Sequence, residues 1–199
     1  YGVKVASFAL APKPELIAKL KEHDIVVIPS IGAPKHAKKV AGWGADAVMI
    51  QGGEGGGHTG AVPTTLLLPT VLDAVDIPVI AAGGFFDGRG LAAALSYGAA
   101  GIGMGTRFLL TQESRVPDAV KQRYLEADLN GTIVTAKVDG MPHRMLRTPF
   151  VEQVEETSTI KRMGPTLRRT REFKKMSGMS WPQLAKDGYQ MRKAQGRTL

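Results

Sequence analysis

The chain has 199 residues, 43% hydrophobic and 22% charged, which fits a soluble globular protein able to bury a real core, most simply one domain with an appendage. It has no cysteine, which excludes disulfides, thiolate nucleophiles and cysteine metal sites; the expected compartment is a reducing cytoplasm, and neither an apolar membrane span nor a signal-peptide pattern is found. The net charge of +8 is local: 11 of the 26 Lys and Arg but 2 of the 18 Asp and Glu lie in residues 159–199, so the body is nearly neutral and the basic balance is no argument for nucleic-acid binding by the whole chain.

Val3–Phe8 reads as a short buried strand. Pro14 opens an amphipathic helix over Glu15–His23. The β-branched run Ile25–Ile31 predicts a second strand, and Pro34–Trp43 a helix carrying His36 and three lysines outward. Ala47–Ile50 is the third strand and Thr64–Val75 the next helix. Pro78–Ala82 is the fourth strand, closed by Gly83-Gly84. Asp87 is placed to cap a helix through Tyr97. Gly101–Met104 is the fifth strand, ended by Gly105-Thr106. Strand followed by helix, repeated five times, predicts a parallel sheet covered by helices, with ligand-facing loops at the strand C-termini. Five units are too few to close an eight-stranded barrel, and a doubly wound open sheet remains an alternative. Five parallel strands alone would also leave two exposed edges.

Beyond Phe108 this rhythm stops. Pro117–Ala127 is expected to be helical, with short strands at Thr132–Ala136 and Arg144–Arg147 joined through Asp139-Gly140 and Pro142. Glu152–Glu156 is acidic. Arg168–Lys175 and Trp181–Lys193 are basic and read as helical, either docked or mobile. The expected organisation is 1–110 for the βα part, 111–158 for a small α+β segment and 159–199 for a basic extension.

The densest chemical signal is Ala47–Gly60, AVMIQGGEGGGHTG. Six glycines in the nine residues after Gln51 surrender packing and chain entropy, which predicts close approach of backbone to a ligand. Two further glycine-rich strand ends, Ala81–Gly84 and Gly103–Thr106, lie one βα unit apart. Paired loops of this kind form phosphate sites from backbone N–H groups, although tight turns alone also explain them. Arg89 either adds charge there or faces solvent. His58 is open to three readings: a general acid or base, a loop histidine, or a metal ligand, the last lacking ligand spacing. Glu54 either orients a loop N–H or His58, or is solvated. His23 and His36 read as surface residues, and His143 as an ordinary residue of the appendage.

The ordered motifs QGGEGGGHTG, IPVIAAGGFFDGRG and GIGMGTRFL resemble the nitronate monooxygenase (2-nitropropane dioxygenase-like) flavoproteins, a family related to flavin-dependent enoyl-ACP reductases. TIVTAKVDGMPHRMLRT is similar to the segment that follows the barrel there. FKKMSGMSW looks most like actinobacterial members acting on acyl-CoA intermediates of steroid breakdown. The resemblance implies an α/β TIM barrel binding FMN, with strands here matching the fourth to eighth. The chain would then be a fragment, lacking three βα units that carry part of the flavin site, and inactive alone if they are required. By motif, Gln51 contacts the flavin and Gly56 lines it. Gly83, Gly84, Gly103, Met104, Gly105 and Thr106 hold the ribityl phosphate, and His58 matches the catalytic histidine. No metal is implied. Two departures are Gly55, where an alanine is usual, expected to loosen the loop, and Ser30, where some members place a lysine.

Two enzyme readings follow from the resemblance. In the first, a nitronate monooxygenase removes an α-proton or binds the nitronate, and FMN passes electrons to oxygen. In the second, NAD(P)H and FMN act on an acyl-CoA or enoyl thioester. Either substrate is a small molecule. A third possibility is a phosphate-binding barrel without flavin. From another class, the cations of the tail with Phe173, Trp181 and Tyr189 could grip nucleic acid, though a solvated helical surface is the expected reading, with CoA phosphates as a middle option. The sequence leaves the oligomeric state open.

Overall fold

The computed structural model describes residues 2–9, 11–138, 140–157, 174 and 180–184. In chain order the elements are β1 (Val5–Phe8), α1 (Pro14–Lys21), β2 (Val26–Ile31), α2 (Pro34–Gly42), β3 (Val48–Gln51), β4 (Gly57–His58), α3 (Thr64–Leu72), β5 (Val79–Ala82), α4 (Gly88–Tyr97), β6 (Gly101–Gly103), α5 (Thr106–Leu109), α6 (Asp118–Glu126), β7 (Thr132–Thr135), β8 (His143–Leu146) and α7 (Pro149–Glu156). Proline opens α1, α2 and α7, where its missing N–H has no intrahelical partner to lose. Asp87 caps α4 as expected: its carboxylate accepts from the N–H groups of Arg89 and Gly90 at 3.0 and 3.3 Å.

All five strands expected before Phe108 form one parallel sheet in the order β1-β2-β3-β5-β6. The order never reverses. With right-handed crossovers a monotonic order puts every helix on the same face, whereas a doubly wound sheet reverses and covers both. The packing agrees. Ile31, Val48, Ile50, Val79 and Ala81 alternate onto one face and form the core with Ala37 and Val40 of α2, Leu67, Leu68 and Val71 of α3, and Ala94 of α4. The opposite face carries Ser30, Met49, Gln51, Ala82 and Gly103, all half-buried. Met49 of β3 reaches across β5, so that its Sδ lies 3.4 Å from where a Gly103 Cβ would stand. The sheet is an arc of a barrel, which decides between the two architectures the sequence left open.

A second, three-stranded sheet has the order β4-β8-β7, with β4 and β8 antiparallel. The strands expected at Thr132–Ala136 and Arg144–Arg147 are its β7 and β8. Gly57–His58 was not expected as a strand, because two residues among glycines carry no periodicity and the partner lies 85 positions away in register His58↔His143. Helix α7 was likewise unexpected; its acidic residues are helical, with Thr148 accepting from Val151 N–H.

The chain divides into two compact units, one of Tyr1–Val134 with Pro142–Leu146 and one of Thr135–Met141 with Arg147–Leu199. Within the second, Thr135 and Lys137 both bond Glu155. Of the expected basic helices, residues 181–184 are helical. Apart from Lys174, the remainder, with Phe173 and Tyr189, lies outside the described residues. Among the described residues no helix is long and apolar enough to cross a membrane.

Asp46, just before β3, ties that strand's entry to β2. It accepts from Val27 N–H at 2.8 Å and from Lys21 Nζ at 2.5 Å. Burial pushes its pKa up, but the Lys21 and Val27 hydrogen bonds outweigh it and hold the carboxyl below its ordinary value. A depressed folded-state pKa adds stability above the unfolded value, and that stability is lost as pH falls through the folded value. Between about pH 5 and about pH 3 the unfolding midpoint of the wild type is therefore expected to fall more steeply than that of Asp46→Ala. Parallel pH profiles of the two in thermal unfolding would refute the assignment.

Candidate functional site

Three strand tips stand side by side. Gln51 of β3 pairs with Ala82 of β5, and Ala82 pairs with Gly103 of β6. The turns 83–84 and 104–105 therefore leave the sheet from adjacent, level positions at its C-terminal edge. The sequence motifs put these glycines at strand ends, and the register makes them neighbours.

The glycine-rich loop after β3 is closely built. Gly52 N–H donates to Ala82 O at 3.0 Å. A Cβ on Gly52 would stand 2.0 Å from Thr64 Oγ1 and 2.6 Å from Thr64 Cα. Gly83 has φ +103°, and its Cβ would meet the Gly52 backbone at 3.1 Å. These two positions admit only glycine because two backbones touch there. Gly56 and Gly105 by contrast look onto open space.

Glu54 accepts from Thr64 N–H at 3.0 Å and from Thr64 Oγ1 at 2.8 Å, so its carboxylate occupies the N-terminus of α3. Of the alternatives left open for Glu54, this is the loop-orienting one, with Thr64 as partner. The buried Thr64 hydroxyl also lies 3.0 Å from Gly83 O, so one proton is shared between the carboxylate of the first glycine loop and the carbonyl of the second. Thr64→Val removes that link and leaves two acceptors short of a donor. A loss of about 1–3 kcal/mol in urea unfolding is expected; an unchanged midpoint would mean the hydroxyl holds nothing.

Gln51 Nε2 donates to Gly56 O at 3.1 Å and His58 O at 3.0 Å, closing the loop from within. A Cβ at residue 55 would lie 2.6 Å from this amide. Gly55, read from sequence as loosening the loop, instead makes room for the Gln51 side chain that fastens it. Thr59 adds a hydrogen bond from Oγ1 to Gly52 O at 3.0 Å. His58 thus stands, exposed, on a backbone tethered to the tip of β3.

Opposite β4 stands His143, which the sequence reading took as an ordinary residue of the appendage. Its ring centroid is 4.6 Å from that of His58, with planes tilted by 45°. The signal was absent from the sequence because the contact spans 85 residues and depends on a two-residue strand. Arg144 beside it was missed as well. Its Nε and Nη2 donate to Gly53 O at 3.3 and 3.0 Å, and its Nη1 to Thr132 Oγ1 at 2.9 Å, binding β8 to the glycine loop and to β7.

Other expected residues lie apart. The Arg89 guanidinium pairs with Asp87 at 2.5 Å, which lowers the Asp87 pKa chiefly through that hydrogen bond. Ser30 lies on the half-buried sheet face opposite the core. His36 was expected to point outward; it is half-buried, and burial first, then Lys35 and Lys39, depress its pKa. Among the described residues no three His, Asp or Glu side chains are grouped to hold a metal ion.

The family model for nitronate monooxygenase matches residues 1–195. The chain belongs to this family. Membership implies a flavin cofactor. Among curated relatives, two are named (3aS,4S,5R,7aS)-5-hydroxy-7a-methyl-1-oxo-octahydro-1H-indene-4-carboxyl-CoA dehydrogenase. The one from Rhodococcus jostii is 67% identical over 99% of this chain and 56% of its own length; that from Mycobacterium tuberculosis is 68% identical over 96% and 55%. The chain therefore spans about half the length of these relatives. Among solved structures, FabK from Thermotoga maritima matches 81% of this chain and 52% of its own, with 42% identity and TM-score 0.76. A nitroalkane oxidase from Streptomyces ansochromogenes matches 76% and 47%, with 36% identity and TM-score 0.70.

Proposed function

We propose that the protein is an FMN-dependent oxidoreductase in which His58 handles a substrate proton and the turns after β5 and β6 hold the flavin phosphate. The observation that carries this reading is the level register of Gln51, Ala82 and Gly103. It sets two turns poor in side chains next to each other, and a phosphate needs close main-chain N–H groups. Gly83, Gly84, Gly103, Met104, Gly105 and Thr106 form this cradle, and open space at Gly105 fits an anion there. Gln51 and Gly56 lie against the flavin ring. The flavin, when bound, supplies the electron transfer. His58 removes a proton from a carbon acidified by a neighbouring electron-withdrawing group. The tethered loop keeps that imidazole in place and leaves it open to substrate.

For the substrate we favour the CoA thioester of a fused-ring carboxylic acid, the class named for the relatives at 67% and 68% identity, with NAD(P)H as the electron partner. A nitronate oxidised by oxygen is the second reading, favoured by the family match and by the resemblance to a nitroalkane oxidase. The thioester and the nitroalkane from which a nitronate forms both present an acidic carbon beside an oxygen-bearing group, whereas a nitronate supplied as such binds directly; both readings suit a cytoplasmic enzyme. The full-length protein is expected to be yellow and to release FMN on denaturation. Acyl-CoA-dependent change in NAD(P)H absorbance without oxygen uptake supports the thioester; oxygen uptake with ethyl nitronate supports the second reading. A colourless protein free of FMN would overturn both.

A further inference from the structure

The two imidazoles face each other for a reason built into the main chain. His58 pairs with His143 in antiparallel register, and Thr59 N–H donates to Pro142 O at 3.0 Å in the adjoining pair. Hydrogen-bonded and non-hydrogen-bonded pairs alternate along such a ladder, so His58 and His143 occupy the non-hydrogen-bonded position, where side chains approach most closely. The fork of Arg144 onto Gly53 O and Thr132 holds β8 in this register. The 4.6 Å ring spacing is thus set by backbone pairing and a guanidinium strut. The His58 ring is exposed and the His143 ring half-buried.

A carbon acid needs two groups at this kind of spacing. As the proton leaves carbon, the C–H electron pair moves into a new double bond and charge arrives on an oxygen two bonds away. A lone base serves the first event only. A donor aimed at the oxygen serves the second, and its effect is largest where charge develops. We propose that His143 is a second catalytic residue: while an imidazole nitrogen of His58 takes the α-proton, the imidazole of His143 donates a hydrogen bond to the thioester or nitro oxygen that becomes negative. The electron pair stays on the substrate and the proton rests on His58, so this step balances without an oxidant. The inference rests on the reading of His58 as the base, and it names the substrate feature the pair recognises, an oxygen conjugated to an acidic C–H.

The test is exchange of the α-proton into deuterated water by the full-length flavin-loaded protein, read by mass spectrometry or NMR independently of any redox turnover. Nitroethane and cyclohexanecarboxyl-CoA are the probes, each corrected for its uncatalysed rate, and they distinguish the two oxygen sources. His143→Phe keeps a ring beside His58 without a donor and is expected to slow exchange about a hundredfold. His143→Gln restores a donor without a ring and is expected to recover part of that loss. His143→Ala reads the same loss should the phenylalanine variant not fold, and melting temperatures separate folding defects from slow exchange. Wild-type exchange in both His143→Phe and His143→Ala, with His58→Ala inactive, would overturn this role while leaving His58 as base. A wild type that exchanges neither probe would overturn the base reading and this inference with it.

Discussion

Replacing His58 by alanine is expected to leave the flavin bound and to lower turnover by about 10²–10⁴-fold, the usual contribution of a positioned acid or base. The structural reason for expecting such a clean separation is that the loop is tethered through its main chain and through other side chains. The His58 carbonyl is held by Gln51 Nε2, the neighbouring Thr59 by Gly52 O and Pro142 O, and β4 by its ladder with β8. The proposed phosphate cradle belongs to other strands, β5 and β6. Flavin content from the visible spectrum and turnover with the substrate class proposed above check both halves. Turnover within twofold of wild type would remove His58 from the mechanism. Full loss of flavin would instead mean that the loop does depend on this side chain.

Gly52→Ala is expected to have the largest effect on folding, about 3 kcal/mol. A Cβ there meets the hydroxyl of Thr64 at 2.0 Å and its Cα and N at 2.6 Å. Rotation of the hydroxyl cannot relieve contacts with the backbone that starts α3, and α3 carries Leu67, Leu68 and Val71 into the core. Either the β3 loop or the helix must shift, and both join the Glu54–Thr64–Gly83 link between the two glycine turns. Flavin affinity is expected to fall with stability for the same reason. Gly60→Ala is the control: it lies in the same loop with nothing within 4 Å of its Cβ, and its unfolding midpoint is expected to stay within about 0.5 kcal/mol of wild type. Equal midpoints for Gly52→Ala and wild type would show that the clash is absorbed and the close approach is not a constraint.

The contrast between these two glycines marks where sequence reading stops. Both sit in the same motif, and only the partner across the loop tells them apart. Gly55 makes the point again: read by itself it is a flexible residue, yet in place it is the gap through which Gln51 fastens the loop. Arg144 and His143 carried no local signal, since their partners at Gly53 and His58 are about ninety residues distant.

What the residues alone determined was local: apolar runs of strand length, helices opened by proline or capped by Asp87, and glycines closing three strands. Each depends on a few neighbours in the chain, so composition and spacing suffice to read it. The tertiary structure decided the rest. Strand order turned five units into an arc of a barrel, register set three strand tips level, and one antiparallel pair brought two imidazoles into contact. These are long-range pairings, which arise from burial of the whole sheet and from main-chain hydrogen bonds that every residue offers alike, and identical donors and acceptors leave no mark on a sequence.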